Sequence, residues 1–161
     1  MLTTNQKGAI AEAKIAAAAT ELRIEVYHPV FKGERFNIIF AFERELMRVQ
    51  CKWARRLGDV VAVDLQTSRR VAGGHLHRSY TSDEIDAVAA YSAALDQCWL
   101  LPAARVVGRR EISLRLAPSR NNQELRVNWA VDYELGAIAQ LGERVTGSHE
   151  AAGSSPASSI A

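Results

Sequence analysis

A chain of 161 residues, 48% hydrophobic and 24% charged, is sized for one soluble globular domain with a real core and is too short for two comfortable ones. No apolar run approaches the roughly 20 residues needed to cross a bilayer. Met1 to Lys7 lacks the basic start and apolar stretch of a secretory signal, so a cytoplasmic protein is expected. The net charge is only +2, which announces no nucleic-acid partner, but the basic set is sixteen arginines against four lysines. The planar guanidinium grips phosphate with two hydrogen bonds. A GC-rich genome would produce the same bias, and the high alanine content agrees with that.

In chain order, Thr3 to Gln6 has the spacing of a capping box and opens an alanine-rich helix running to about Leu22. Ile24 to Val30 and Phe36 to Phe42 are extended runs around a turn at Lys32-Gly-Glu34, which predicts a hairpin. A short turn near Glu43 to Glu45 leads to Leu46–Trp53, where Val49 and Cys51 alternate with Arg48, Gln50 and Lys52 as in a half-buried strand. Asp59 to Leu65 is a further strand. Thr67 to Tyr80, with Gly73, Gly74, two histidines and three arginines, is predicted to be a long loop. Thr81 to Glu84 reads as a second capping box, opening a helix with Ile85, Val88, Ala89 and Leu95 on one side. Gln97 to Leu101 and Glu111 to Ala117 are predicted strands. The expected architecture is an α/β mixture, helix, β-hairpin, strand, helix, strand, around one central mixed sheet.

Cys51 and Cys98 stand without a CxxC or histidines at metal spacing, which argues for buried reduced thiols and against zinc. Trp53, Trp99 and Trp129 are expected in the core or an interface. His75 and His77 are spaced to share a ligand but have no third partner in view, so a loop that touches DNA, or plain solvation, is the simpler reading. Arg105, Arg109, Arg110, Arg115, Arg120 and Arg126 crowd one segment with few acids, which favours phosphate contact.

Metal-dependent phosphodiester hydrolysis needs oxygen ligands for one or two Mg²⁺ ions and a positive or basic group near the attacking water. Glu12 lies mid-helix, four residues after Gly8, where a missing side chain leaves room for approach. Asn37 stands on the predicted hairpin, and Gln50 and Lys52 are two residues apart on the next strand, hence on one sheet face. All four are expected to converge on one side of the sheet. Taken singly each has an ordinary explanation: a solvated helix glutamate, a hydrogen-bonded buried amide, the polar face of an edge strand.

Jointly, the order helical Glu, strand position, then a spaced pair ending in Lys resembles the PD-(D/E)xK endonuclease superfamily. The phrases Asn5-Gln-Lys-Gly-Ala-Ile-Ala-Glu12, Arg48-Val-Gln-Cys-Lys-Trp53, Tyr80-Thr-Ser-Asp-Glu-Ile-Asp-Ala-Val-Ala-Ala-Tyr91 and Arg120-Asn-Asn-Gln123 resemble its intron-encoded homing branch, whose last element reads Q-x-K. The likeness runs from about Thr3 to Tyr133. It implies a restriction-endonuclease-like core over residues 1–135 and catalysis by Glu12, Asn37, Gln50 and Lys52. The first three would bind Mg²⁺. Double-stranded DNA would contact Arg69, Arg70, His75, His77, Arg105, Arg109, Arg110 and Arg120, and a symmetric dimer or tetramer would read a near-palindromic target. The family carries Asp where this chain has Asn37, so an inactivated enzyme is expected among the alternatives. The others are a junction-resolving nuclease and a catalytically dead DNA-binding protein.

Residues 136–161 are expected to be a poorly structured tail, since Gly, Ser, Ala and Pro dominate its end. Ala-Ile-Ala-Gln140 and Gly153-Ser-Ser can be encoded by DNA containing TAGCTCAG and GGTTCGA, the D-arm and T-arm boxes of a tRNA gene. The reading frame is therefore expected to run into such a gene.

Overall fold

The computed structural model of the chain describes residues 1–31, 33–42, 45–118 and 126–139, and their side chains except those of 68–71 and 75. Helix α1 spans Thr4–Glu21. Its start is built as the sequence predicts: the Thr3 hydroxyl accepts from the Gln6 N–H, and the Gln6 side chain accepts from the Thr3 N–H at 2.9 Å. Ala11, Ile15 and Ala19, one turn apart, are fully buried. Ala11 and Ala19 let the helix backbone lie close against the sheet, and Ile15 between them supplies a large buried apolar side chain.

The strands are β1 (Glu25–Tyr27), β2 (Ile38–Phe42), β3 (Glu45–Leu57), β4 (Val60–Asp64), β5 (Gln66–Val71), β6 (Gly74–Ser79), β7 (Ala87–Ser92), β8 (Gln97–Pro102) and β9 (Glu111–Arg115), with a short α2 (Ala103–Val106) before β9. Seven of them form one sheet: β1, β2, β3, β4 and β9 pair antiparallel in that order, while β7 joins β3 in parallel and β8 pairs with β7. The mixed central sheet with α1 across it is the α/β architecture expected. The thirteen-residue β3 is its spine, with β2, β7 and β4 taking successive stretches of it. Alternation along β3 and β7 sorts the core into two halves. On the α1 side Val49, Cys51, Ala87, Ala89 and Tyr91 pack with Ile38 and Phe40. On the other side Ala54, Val88 and Ala90 pack with Val61, Val63, Leu65, Trp99, Leu101 and Leu114. Trp99 is fully buried there, and Trp53 meets Tyr91 edge-to-face on the helix side.

Three expectations are corrected. The helix predicted after Thr81 is strand β7. The capping signal does form a turn, with Glu84 accepting from the Thr81 N–H at 3.1 Å, but the turn stops there. Ala87-Val-Ala-Ala-Tyr-Ser92 is buried at every position, so it carries no alternation to betray a strand, and small residues are what a strand between two cores requires. The long loop predicted over Thr67 to Tyr80 is the β5–β6 hairpin, turning at Ala72 and Gly73, with Gly73 at φ +97°. Its sequence is mostly polar and shows no alternation of apolar residues, which hid the strands. Finally, residues 135–139 are helical with Leu135 and Ala139 buried against α1's core, so packed structure continues past the boundary set at 135. The turn predicted at Glu43 lies partly, and residues 140–161 wholly, outside the described residues.

The parallel β3–β7 pair is pinned by one carboxylate. Asp86 accepts from the Arg48 backbone N–H at 2.7 Å and from its guanidinium at 3.0 and 2.9 Å. The Asp86 N–H returns a bond to the Arg48 carbonyl at 2.9 Å. The side-chain bond from Arg48 holds the Asp86 carboxyl below its ordinary value of 3.8. Its contribution to stability is therefore complete above that ordinary value and is lost as pH falls through the lower folded one. Asp86→Asn should cost about 1 kcal/mol at neutral pH, discounted for the pair's partial exposure. Urea unfolding of both proteins should show this gap narrowing as pH falls below 3.8 and closed once pH is below the lower folded value, where the native carboxyl is neutral too.

Candidate active site

Glu12 projects from the middle of α1 with its side chain 35% exposed. Asn37 occupies the bend immediately before β2. Its N–H still donates to the Val49 carbonyl at 2.9 Å, but beyond it the chain leaves β3. The Asn37 side chain then continues the ladder: Oδ1 accepts from the Cys51 N–H at 2.9 Å. Its Nδ2 donates to Glu12 Oε2 at 3.1 Å, which joins helix and sheet. The amide orientation follows from its partners, since reversing it would set donor against donor and acceptor against acceptor. The other oxygen of Glu12, Oε1, faces His28 Nδ1 at 3.6 Å. A Cβ placed on Gly8 would meet nothing within 4 Å, so the helix face one turn before Glu12 is open.

Gln50 and Lys52 share a face of β3, but it is the face opposite Cys51 and α1. The expectation that all four side chains lie on one side of the sheet is therefore corrected. The period that unites Gln50 with Lys52 also separates both from Cys51, and α1 covers Cys51. Asn37, at the seam where β2 parts from β3, touches Glu12 directly and meets β3 at the Cys51 N–H, between Gln50 and Lys52 in sequence. Gln50 Nε2 donates to the Cys51 carbonyl at 3.3 Å. Lys52 Nζ donates to the Gln66 carbonyl at 2.7 Å and lies 5.2 Å from the centre of the Tyr80 ring. Burial lowers the Lys52 pKa, opposed by Asp64 and aided by Arg35.

Three residues that the motif reading passed over are part of this arrangement. Arg35 sits 4.8 Å from the Tyr80 ring centre and ties down the base of the β5–β6 hairpin, donating to Thr67 Oγ1 at 2.9 Å and to the Ser79 carbonyl at 3.2 Å. It also pairs with Glu84 at 3.1 Å. Tyr80 is buried with its hydroxyl unpartnered, and burial raises its pKa. His28 is the third. Arg35 and His28 carry no spacing that sets them apart from surface residues, and only tertiary proximity reveals them.

Of the expected DNA contacts, Arg69, Arg70 and His75 lie on the β5–β6 hairpin by backbone register, though their side chains are outside the described residues. His77 is on the same hairpin and exposed. Arg105, Arg109 and Arg110 are exposed around α2 and the turn before β9, away from the hairpin in sequence; Arg120 lies outside the described residues. Cys51 is buried and Cys98 half-buried, both free. Burial raises both thiols, Cys98 to about 11, so neither is a nucleophile at neutral pH.

A helical acid meeting a residue at the point where two strands part, with a Q-x-K strand beside it, can be compared with known families. The model of the PD-(D/E)XK endonuclease family matches residues 2–136. The chain belongs to that family. Its fold is also that of a solved bacterial homing endonuclease, with a TM-score of 0.70 at 19% identity, covering 92% of this chain and 99% of that one. No curated protein matches. Membership makes this a nuclease fold of the hydrolase class, in a family that typically uses divalent metal ions. No helix among the described residues is long and apolar enough to cross a membrane.

The residues present fit a Mg²⁺ ion poorly. Among the described residues no three His, Cys, Asp or Glu side chains cluster as ligands. Asn37 has turned its oxygen to Cys51 and aims an N–H donor at Glu12, where a family member with Asp would aim a charge. An aspartate at position 37 would set two carboxylates about 3 Å apart and raise the pKa of one, strain that a shared cation relieves. Asn37→Asp should therefore melt lower than the present chain in chelator. It should recover about 1–3 kcal/mol in millimolar Mg²⁺, read as a rise in melting temperature. The present chain should respond little.

Proposed function

We propose that this chain is a site-specific double-stranded DNA endonuclease of the homing type, encoded by a group I intron and weakened in hydrolysis by Asn37. The observation that carries the reading is the direct contact of Asn37 with Glu12 at the seam between β2 and β3, where Asn37 also takes the N–H of Cys51, the residue between Gln50 and Lys52. Family membership and the homing activity named for the structural neighbour support it. The tRNA-like codons of the tail favour an element lodged beside a tRNA gene. Residues 1–135 would form the nuclease domain, extended by the packed 136–139, and a dimer or tetramer would present two active sites to a near-palindrome.

A Mg²⁺ ion, where bound, would place positive charge on the scissile phosphate and lower the pKa of its water. Glu12 and a carboxylate restored at position 37 would hold it, whereas in the present chain the Asn37 oxygen is committed to the Cys51 N–H and Gln50 lies on the other face of β3. Lys52 would orient the attacking water; its half-buried ammonium, tied to the Gln66 carbonyl, is held rather than mobile. Asn37→Asp should raise cleavage of a cognate site in Mg²⁺ by about a hundredfold or more, on the scale of a Lewis-acid contribution. Adding Lys52→Ala should remove that gain. Equal cleavage by the present chain and Asn37→Asp would withdraw the site assignment.

A two-stranded ribbon is one of the shapes that enters the major groove, and β5–β6 carries Arg69, Arg70 and His75 near its turn. Binding would then be dominated by arginine–phosphate contacts from the ribbon and from Arg105, Arg109 and Arg110. Affinity should fall steeply from low to physiological salt, and replacing both Arg69 and Arg70 by Ala should reduce the salt slope by about 2. A slope that is flat, or unchanged in the double variant, would remove the ribbon from the interface. The Asn37–Glu12 bond also favours a second reading, a DNA-binding protein that retains the fold and has lost hydrolysis. Binding without cleavage in every divalent ion would select it.

A further inference from the structure

We propose that the Tyr80 ring, gripped by Arg35 and Lys52, is the positioning element that holds the β5–β6 ribbon in its DNA-binding pose. The inference rests on the reading of that ribbon as a DNA interface and goes beyond it. Tyr80 becomes a positioning residue, and Lys52 gains a part in binding besides the one proposed for it in hydrolysis.

The ribbon needs such a support. β5 and β6 pair with each other as a separate two-stranded sheet, and neither pairs with the seven-stranded one. An isolated two-stranded hairpin is marginal in water, and a mostly polar one has little apolar surface with which to dock. Its pose is therefore set where its strands leave the body. Lys52 Nζ, on β3, donates to the carbonyl of Gln66, the first residue of β5, at 2.7 Å. The Gln66 N–H donates in turn to Asp64 Oδ1 at 2.8 Å. Arg35 donates to Thr67 Oγ1 on β5 and to the carbonyl of Ser79, the last residue of β6. The Thr67 hydroxyl completes the tie by donating to the Arg78 carbonyl at 3.1 Å.

Both cations lie over one ring. Tyr80 directly follows β6, with Arg35 Cζ 4.8 Å and Lys52 Nζ 5.2 Å from its centre, inside the range where an aromatic face attracts a cation. Glu84, paired with Arg35 at 3.1 Å, and Asp64, on the Gln66 N–H, supply the opposing charge. Tyr80 is 3% exposed and belongs to the core that contains Val63, Leu65 and Ile85, so the ring is rooted in the body. Its hydroxyl is buried without a partner, and the ring is therefore the part in use. A buried neutral side chain makes no phosphate contact of its own. Any DNA affinity lost on removing the ring must come through the ribbon it positions.

The test uses the full chain in chelator with a mixed-sequence DNA duplex, so that no hydrolysis is required. Amide hydrogen exchange without DNA reads the ribbon, and duplex titrations at several salt concentrations read affinity. Tyr80→Leu keeps an apolar side chain but removes the ring. It should speed exchange in β5 and β6 about tenfold and lower affinity about fivefold, with β3 and β7 amides unchanged. Tyr80→Phe brings back the ring and should restore both. Lys52→Met should also speed ribbon exchange, which loss of a lysine engaged only in hydrolysis would not do. With Arg69 and Arg70 both changed to Ala, Tyr80→Leu should cost no further affinity, because the ribbon then has little to position. A full additional loss in that background, or a Tyr80→Phe chain as loose as Tyr80→Leu, would overturn the inference. If Tyr80→Leu leaves ribbon exchange or affinity as it was while the Arg69, Arg70 double variant lowers the salt slope, this inference is wrong and the ribbon reading stands. If the double variant changes neither affinity nor slope, the ribbon reading fails and the DNA role of Tyr80 fails with it. Should Tyr80→Leu loosen β3 and β7 as well, Lys52→Met decides: faster exchange confined to the ribbon upholds the inference, and unchanged exchange refutes it.

Discussion

The parallel pairing of β7 with β3 is the constraint on which the rest of the molecule depends. β3 is long enough to take partners along its whole length, and β7 occupies its middle, from Val49 to Trp53, the same residues that carry Gln50 and Lys52. A parallel partner cannot be supplied by a tight turn, so everything from β4 to Asp86 serves as the crossover. Arg48 and Asp86 set where that crossover ends. Their reciprocal backbone and side-chain bonds align β7 with β3 at the start of the shared stretch, and a slip of one residue would send each β7 side chain to the opposite core.

That pairing also determines what the candidate site can be. With β7 beside its middle, β3 is an internal strand, and both of its faces must be covered. α1 covers the Cys51 face with Ala11, Ile15 and Ala19, and β4, β9 and the Tyr80 region cover the Lys52 face. A helical glutamate and a strand lysine consequently come from opposite sides. They can cooperate only at a seam, and the seam is where β2 leaves β3. Asn37 stands there, its side chain substituting for a strand hydrogen bond on one side and holding Glu12 on the other. A carboxylate in that place would be repelled by Glu12 unless a cation joined them, whereas the amide is at rest. The same shape thus supports either a metal-dependent hydrolase or a quiet, hydrogen-bonded substitute, and one nitrogen atom separates the two.

The family and its fold were legible because they rest on local order. Thr3 and Gln6 cap α1 within one turn, Val49 and Cys51 alternate with Gln50 and Lys52 along one strand, and four short phrases stand in sequence. Each of these depends on neighbours a few residues apart, so their physical signal survives in the chain itself. The hairpin strands β1 and β2, the apolar runs of β4 and β8 and the alternation of β9 were legible for the same reason.

What only the tertiary structure decided is the identity of elements and contacts whose local signal is ambiguous or silent. Ala87 to Ser92 is alanine-rich and follows a capping sequence, yet burial between two cores makes it a strand, because long-range pairing with β3 outweighs a weak preference for helix. Gln66 to Ser79 is mostly polar, with only Val71, Ala72 and Leu76 apolar besides its glycines, and Arg35, distant in sequence, ties its base by holding Thr67 and Ser79. The division of Glu12 between Asn37 and His28 joins residues from a helix, a bend and a strand end, sixteen to twenty-five positions apart. Sequence by itself determined the family and the motif positions from which a site is proposed; which of their atoms face one another is set by three-dimensional packing, for which spacing along the chain has no counterpart.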